Sequence, residues 1–254
     1  MGYLFVDDAR ARLAAAEDLL DDGTARVLER FGVKEGWRCL EVGAGGGSIA
    51  RWLAERGADV VATDITIDDL DPGSSGRVEV RAHNVFTDPL ESCAFDLVHA
   101  RLLLEHLPER EAVLQKLVAA LKPGGWFIAE DLDYVSAIPV SALGGKEHAH
   151  TQAMRLHMFA NSGVDHNLGR ALPSLLRAAG LEGVDNAGRV WVMEGGTAGA
   201  RWFKISMAHL RPRLVGPGKL SDAEVDRMLD LFDNPAWSAL SPIVMAAWGR
   251  CPAL

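Results

Sequence analysis

Cysteine, basic charge and long apolar runs are all scarce in this sequence of 254 residues. Its three cysteines, Cys39, Cys93 and Cys251, form no C-x-x-C pair, so we interpret them as small core residues in a reducing compartment. Lys and Arg number 26 against 35 Asp and Glu, and the net charge is −9. This balance disfavours nucleic acids and anionic membranes as partners. No apolar stretch could span a bilayer and no secretory signal is present, which predicts a soluble cytoplasmic protein.

Glycine, in contrast, is concentrated in the stretch R-C-L-E-V-G-A-G-G-G-S at 38–48. An apolar run precedes the glycines, and Ile49 and Leu53 follow them at helical spacing, so the pattern predicts a strand, a turn and a helix. Glycine allows positive φ and a close approach of the backbone to a ligand, and the helix N-terminus offers unpaired N–H groups. The stretch therefore predicts a nucleotide-type cofactor site, with a plain flexible loop as the alternative.

Strands and helices alternate beyond this turn. Apolar runs predict strands at 58–64, 78–83, 95–100 and 126–129, and helices are expected at 48–56 and 109–121. This alternation demands a parallel sheet with right-handed crossovers, in which ligands collect at the carboxyl ends of the strands. The polar residues expected at those ends are Glu41, Asp64, Asn84, His99, Arg101, Asp131 and Asp133. Asp64 suits the two hydroxyls of a ribose and Asn84 suits an adenine edge, although each could instead be a turn residue.

The flanking segments are less regular. Residues 9–31 read as two short helices broken near Asp22-Gly23-Thr24, with Thr24 capping the second; the pair either packs on the sheet or covers a site. Further helices are expected at 147–159, 172–179, 201–214 and 223–232, the last begun by Ser221-Asp222. Strands are expected at 183–193 and 241–248.

Four motifs in order carry a family resemblance. They are E-V-G-A-G-G-G-S at 41–48, V-V-A-T-D-I at 60–65, F-D-L-V-H-A-R-L-L-L-E-H-L at 95–107 and L-K-P-G-G-W-F-I-A-E-D at 121–131. With these spacings the sequence resembles the class I S-adenosylmethionine-dependent methyltransferases of the bacterial small-molecule type, over residues 37–135. The resemblance implies an α/β fold with a Rossmann-like, doubly wound, seven-stranded sheet. That sheet is mostly parallel with an antiparallel last strand, and a helical cap covers it.

Residues 1–254 are then expected to form one methyltransferase domain. It would comprise N-terminal helices (1–32), a cofactor-binding core (33–137), a variable cap (138–182) and the rest of the sheet with inserted helices (183–254). The implied cofactor is S-adenosylmethionine, with Glu41 and the glycines at its methionine and ribose end, Asp64 at the ribose and Asn84 at the adenine. The family more often has Asp at the Asn84 position. The cofactor-binding residues implied are Glu41, Gly43, Ala44, Gly45, Gly47, Asp64, Ile65, Asn84, Val85, Ala100 and Arg101.

Glu105 and His106 are the candidate catalytic pair. An E-H pair at this position resembles the dyad of some plant alkaloid N-methyltransferases and would act as an oriented base, although it is also an ordinary framework element. Neighbouring residues on a regular helix point about 100° apart, so the pair cooperates only if the turn is irregular.

Candidate substrate residues come from the variable cap and the fifth strand. They are Asp131, His150, His157 and His166. His150 and His157 share a helix face, as a substrate wall or, less well, a metal pair; no metal is expected. Trp191, Trp202 and Phe203 indicate an aromatic or apolar substrate if they do not simply pack in the core.

The resulting hypothesis is methyl transfer to O, N or C of a small aromatic or apolar metabolite by direct displacement, in secondary metabolism. The partner is a small-molecule substrate, without nucleic acid or membrane, and a homodimer is compatible with the composition. One alternative is a related protein that binds the cofactor without methylating. Another is an NAD-dependent dehydrogenase, which the serine at position 48 and the missing second nucleotide-binding half disfavour.

Overall fold

The computed structural model describes residues 9–253 of the chain. Its helices are α1 (Ala9–Leu28), α2 (Ser48–Glu55), α3 (Arg110–Ala120), α4 (Gly145–Asn161), α5 (Leu168–Ala178), α6 (Ala198–Leu214) and α7 (Asp222–Asp233). Its strands are β1 (Arg38–Val42), β2 (Asp59–Asp64), β3 (Val78–Ala82), β4 (Phe95–Arg101), β5 (Leu121–Asp133), β6 (Glu182–Arg189), β7 (Val192–Glu194), β8 (Ser238–Leu240) and β9 (Ile243–Arg250). None of the helices within residues 9–253 is long and apolar enough to cross a membrane.

Seven strands form one sheet in the order β3-β2-β1-β4-β5-β9-β6. Strand β9 runs antiparallel to both of its neighbours, and the pairs that β1 to β5 form with one another are all parallel. The order reverses between β1 and β4, where an open sheet of this kind leaves a crevice at the carboxyl ends of the strands. The predicted doubly wound sheet with an antiparallel last strand is confirmed.

Alternate residues of β1 point to opposite faces, and both faces are covered. Leu40 joins a core with Phe127 and helices α3 and α5, whereas Cys39 joins a second core with Ile128, helix α2 and the end of α1. A third core, built from Leu20, Phe159, Phe203 and Trp237 among others, unites α1, α4, α6 and α7 beyond the sheet. This third core is the structural basis of a helical cap.

Helix α1 is continuous, so the predicted break near Asp22-Gly23-Thr24 is wrong. Gly23 stays helical and makes room for a neighbour, since a Cβ there would lie 2.6 Å from Nε of Arg189. Thr24 is fully buried and caps no helix; its hydroxyl donates to Glu130. Tertiary contacts from a distant strand therefore override the local turn signal.

The strand predicted at 183–193 is two strands. Strand β6 ends at Arg189, and β7 pairs with β8 in a separate two-stranded antiparallel sheet. Between them Trp191 donates its backbone N–H to the Ser241 hydroxyl (3.1 Å), which directs the chain away from the main sheet. Strand β6 pairs with β9, and the two overlap the segments 183–193 and 241–248 where strands were expected.

Candidate active site

The glycine turn between β1 and α2 has the predicted backbone geometry. Gly43, Gly45 and Gly47 have φ of 69°, 55° and 84°, values that residues other than glycine rarely adopt. The Gly43 and Ala44 N–H groups donate to the Thr63 carbonyl at 2.8 and 3.0 Å. A Cβ on Gly47 would lie 2.5 Å from the Asp71 carbonyl oxygen. These contacts fix the turn against β2, and its glycines carry no side chain that would cover the backbone.

A cavity of about 600 Å³ opens at this turn, at the carboxyl ends of the strands. Its volume is in the range of small-molecule sites. The predicted cofactor residues that line it are Gly43, Ala44, Gly45, Asp64, Ile65, Asn84, Val85 and Arg101, and Glu105 and His106 line it as well. The cavity then continues between α1, α4 and α6.

Glu41, Gly47 and Ala100 do not line the cavity. Glu41 is buried below it, where His99 Nδ1 donates to its carboxylate at 2.7 Å. Gly47 is the N-cap of α2, and Ala100 is packed within the sheet core. Glu41 thus lies beneath the lining of the cavity and is held there by His99.

A buried polar network extends from this pair. Glu130 accepts hydrogen bonds from Thr24 and from Arg189 Nη1 (2.8 Å), and its Oε2 lies 4.0 Å from His99 Nε2. Arg101, at the cavity edge, donates to the Thr24 hydroxyl (3.0 Å). Together these contacts attach helix α1 to the ends of the strands that carry the site.

Asp64 and Asn84 combine turn geometry with exposure to the cavity. Asp64 accepts from the backbone N–H of Gly45 (2.9 Å) and Ile65 (2.7 Å), so it orders the glycine turn. Asn84 Oδ1 accepts from the Phe86 N–H (3.0 Å), which is the Asx-turn that the sequence left open. Both side chains still border the cavity, so the two interpretations coexist.

The turn that carries Glu105 and His106 is irregular, as cooperation between them requires. Leu102 has φ of 53°, and a single 3-10 turn, Leu104–His106, follows it. His106 Nε2 lies 3.5 Å from Glu105 Oε1. Burial raises the pKa of Glu105 to about 8, and burial together with the Arg12 guanidinium lowers the pKa of His106 to about 4. At neutral pH both groups are therefore uncharged.

None of the four predicted substrate residues lines the cavity. Asp131 is buried behind Glu105, and burial, then the Glu105 carboxylate, raises its pKa well above the usual range. His150 and His157 lie on the exposed face of α4, beside Glu224 (3.4 Å) and Asn161 (3.0 Å). The backbone carbonyl of His166 accepts a hydrogen bond from the backbone N–H of Tyr134 (3.1 Å). The buried stripe of α4 is instead the polar series His148, Gln152 and Arg155, ending in Phe159.

Several cavity residues were not predicted. They are Arg12 and Glu17 of α1, Tyr134 after β5, Arg155 and Phe159 of α4, and Ser206 of α6. Glu17 lies against the glycine turn, since a Cβ on Gly46 would be 2.4 Å from its Oε1. Burial, then Asp21, raises the pKa of Glu17. The available signal was the polar spacing i, i+4, i+7 in α4, which is unusual for a buried stripe.

The residues at the turn fit S-adenosylmethionine. A side chain at Gly45, Gly46 or Gly47 would clash with neighbouring protein atoms, so the turn can hold only glycine there. Asp64 is a half-buried acid at the end of β2. Glu17, Arg101 and Asn84 line the same cavity and add an acid, a cation and an amide, groups that suit the polar parts of the cofactor.

Comparisons with known proteins agree with this assignment. A family model described as a methyltransferase domain matches residues 9–186. The chain is 33% identical to Methyltransferase str2 of Strobilurus tenacellus over 146 residues, 56% of this chain and 52% of that protein. It is 30% identical to a ubiquinone biosynthesis O-methyltransferase of Bordetella avium (strain 197N) over 164 residues, 61% of this chain and 66% of that protein. The chain thus spans between half and two thirds of these relatives' lengths.

Solved structures share the fold at low identity. Haemonchus contortus phosphoethanolamine N-methyltransferase 2, in complex with phosphomonomethylethanolamine and S-adenosylhomocysteine, matches with a TM-score of 0.59 at 16% identity, over 95% of this chain and 57% of that one. The [4+2]-cyclase SpnF matches with a TM-score of 0.54 at 21% identity, over 92% and 82%. The family model covers the glycine turn, Asp64 and the Glu105–His106 turn. The chain therefore belongs to the class I S-adenosylmethionine-dependent methyltransferases, and S-adenosylmethionine is its cofactor.

Proposed function

We propose that this chain transfers a methyl group from S-adenosylmethionine to an O, N or C atom of a small aromatic or apolar metabolite by direct displacement. The observation that carries the proposal is a single cavity with the glycine turn at one end and an aromatic wall at the other. Tyr134, Phe159, Trp202 and Phe203 form that wall. A flat apolar acceptor would stack there and face the cofactor. Cytoplasmic location and a role in secondary metabolism stay predictions.

The bound cofactor would supply a methyl group on a sulfonium that leaves as a neutral thioether. The chain's main task is then to align the acceptor, because proximity and orientation can supply much of the rate enhancement. Asp64 would hold the ribose hydroxyls, Asn84 the adenine edge, and Glu17 with Arg101 the charged amino-acid end. Helices α1, α4 and α6 enclose the cavity and would exclude water from it.

An acceptor that carries a hydroxyl or ammonium group must lose a proton. His106 lines the cavity beside Glu105 and is the group placed to take it, and its lowered pKa keeps the imidazole neutral at physiological pH. Glu105, whose pKa is raised to about 8, is protonated under the same conditions and adds no charge that would compete with the acceptor. Methyl transfer removes one positive charge from the cavity, which offsets the cost of forming an imidazolium there.

The test is a methyl-transfer assay with labelled S-adenosylmethionine and a panel of phenols, catechols, amines and aromatic acids. Calorimetry of cofactor binding runs in parallel. We expect transfer to at least one aromatic acceptor, and His106→Ala should lower the transfer rate by about 10²–10⁴-fold while cofactor affinity stays nearly intact. Cofactor binding without transfer to any acceptor would instead favour the non-methylating alternative. His150→Ala, on the exposed face of α4, is the matched control.

A further inference from the structure

Arg155 is a buried cation that the cofactor chemistry leaves without a role. It lies on the inner face of α4 with 4% of its surface exposed, and it lines the cavity. Among residues 9–253 no carboxylate forms an ion pair with it; its one side-chain hydrogen bond goes to the neutral amide oxygen of Gln152. Its Nε has no acceptor at all within that part of the chain.

A contribution to the stability of the fold does not explain why Arg155 is buried. A guanidinium remains charged in proteins, and taking it out of water without an opposite charge is costly. Its guanidinium carbon lies 5.1 Å from the Tyr134 ring centre and 4.9 Å from that of Phe203, and such contacts recover only part of that cost. A void of about 10 Å³ beside Gln152 and His148 has room for about one water, which could accept a hydrogen bond but brings no negative charge.

Arg155 lies near the aromatic half of the cavity, which is the half proposed to hold the methyl acceptor. Tyr134 lies between two charged regions, since it interacts electrostatically with Arg155 as well as with Glu105 and Arg12. Trp202 lines the same half, and its buried indole N–H has no acceptor within the described residues. Arg155 and Trp202 therefore line an aromatic part of the cavity with polar groups that lack an anionic partner within the described residues.

We propose that Arg155 binds the carboxylate of an aromatic acid substrate, with the ring over Tyr134 and the methyl-accepting atom directed to Glu105 and His106. This proposal rests on the proposed function, whose substrate class it narrows. A guanidinium presents parallel N–H donors that match the two oxygens of a carboxylate, and Arg155 lines the cavity with its buried Nε still lacking an acceptor. Cationic amines are correspondingly excluded from this half of the cavity.

The test compares carboxylates with their isosteric amides. Calorimetry on protein saturated with S-adenosylhomocysteine would use 4-hydroxybenzoate against 4-hydroxybenzamide, and 6-hydroxy-2-naphthoate against its amide. Wild-type protein should bind at least one carboxylate about 10- to 100-fold more tightly than its amide. Arg155→Met should bind both members of that pair equally, and Arg155→Lys should retain part of the preference because it keeps the charge without the fork.

Two controls separate the possible failures. Arg201→Gln removes an exposed guanidinium of α6 that pairs with Asp18, and it should leave the preference unchanged. Arg155→Met should melt at or above the wild-type temperature, because it removes an unpaired buried charge; a lower melting temperature would indicate a structural role. Retained carboxylate preference in Arg155→Met, or none in the wild type, would refute the proposal. Carboxylate binding without methyl transfer to any acceptor would refute only the proposed function.

Discussion

Replacing Glu105 with Gln should make the protein more stable at neutral and alkaline pH. Glu105 is buried, and its pKa rises from about 4.5 to about 8 on folding. Between those values the folded state holds a proton that the unfolded state has released. The stability contributed by this group is therefore complete below pH 4.5 and is lost as the pH rises toward 8, at about 1.4 kcal/mol per pH unit. At pH 7 the loss amounts to about 3 kcal/mol.

Gln has nearly the same shape and no charge to release, so Glu105→Gln should recover most of that loss. The assay is urea unfolding followed by tryptophan fluorescence at pH 6, 7, 8 and 9, with a common slope in urea. Some pH dependence will remain because the pKa of Asp131 is also raised. Glu111→Gln, at an exposed site of α3, is the matched control. If the unfolding free energy of Glu105→Gln depends on pH as that of the wild type does, the Glu105 carboxyl is not buried away from water.

Three other predictions concern the site directly. The wild-type kcat/KM should stay level down to about pH 5, because His106 protonates only near its lowered pKa of about 4; an acid limb centred near pH 6.5 in the rate profile would contradict this. Asp64→Ala should weaken S-adenosylmethionine binding about tenfold or more by calorimetry, through lost ribose contacts and a loosened glycine turn, and unchanged affinity would remove Asp64 from the site. Amide hydrogen exchange in α1, α4 and α6 should slow when S-adenosylhomocysteine and an acceptor are added together. If neither compound changes the exchange rates, these helices do not close over the site.

The sheet was predictable because its signals are local and mutually consistent. Apolar runs, glycine turns and amphipathic helices repeat in order through β5, and each supports the next. Asp64 and His106 were placed near strand ends, which the sequence marks clearly, and both line the cavity. The assignment of these residues to the cofactor and the reaction stays a prediction.

The cap was less predictable because its helices carry weak patterns. The sequence predicts that His150 and His157 of α4 share a face as a substrate wall, but the buried stripe of His148, Gln152 and Arg155 has no apolar periodicity to set its phase. Glu17 and Arg12 belong to a helix predicted to break, and this helix is attached by contacts with residues more than a hundred positions away, such as Thr24 with Glu130. The side chains that we propose to select a substrate thus come from elements whose orientation only tertiary packing decides.

The close approach of Gly23 to Arg189 implies that these two positions cannot vary independently during evolution. Any side chain at position 23 would occupy the space of the guanidinium, and a displaced Arg189 would leave the buried Glu130 without its cation. Relatives with alanine or a larger residue at position 23 should therefore carry a shorter or uncharged residue at position 189. Where that pair has changed, an accompanying change at position 130 is expected, and the three positions should vary together across the family.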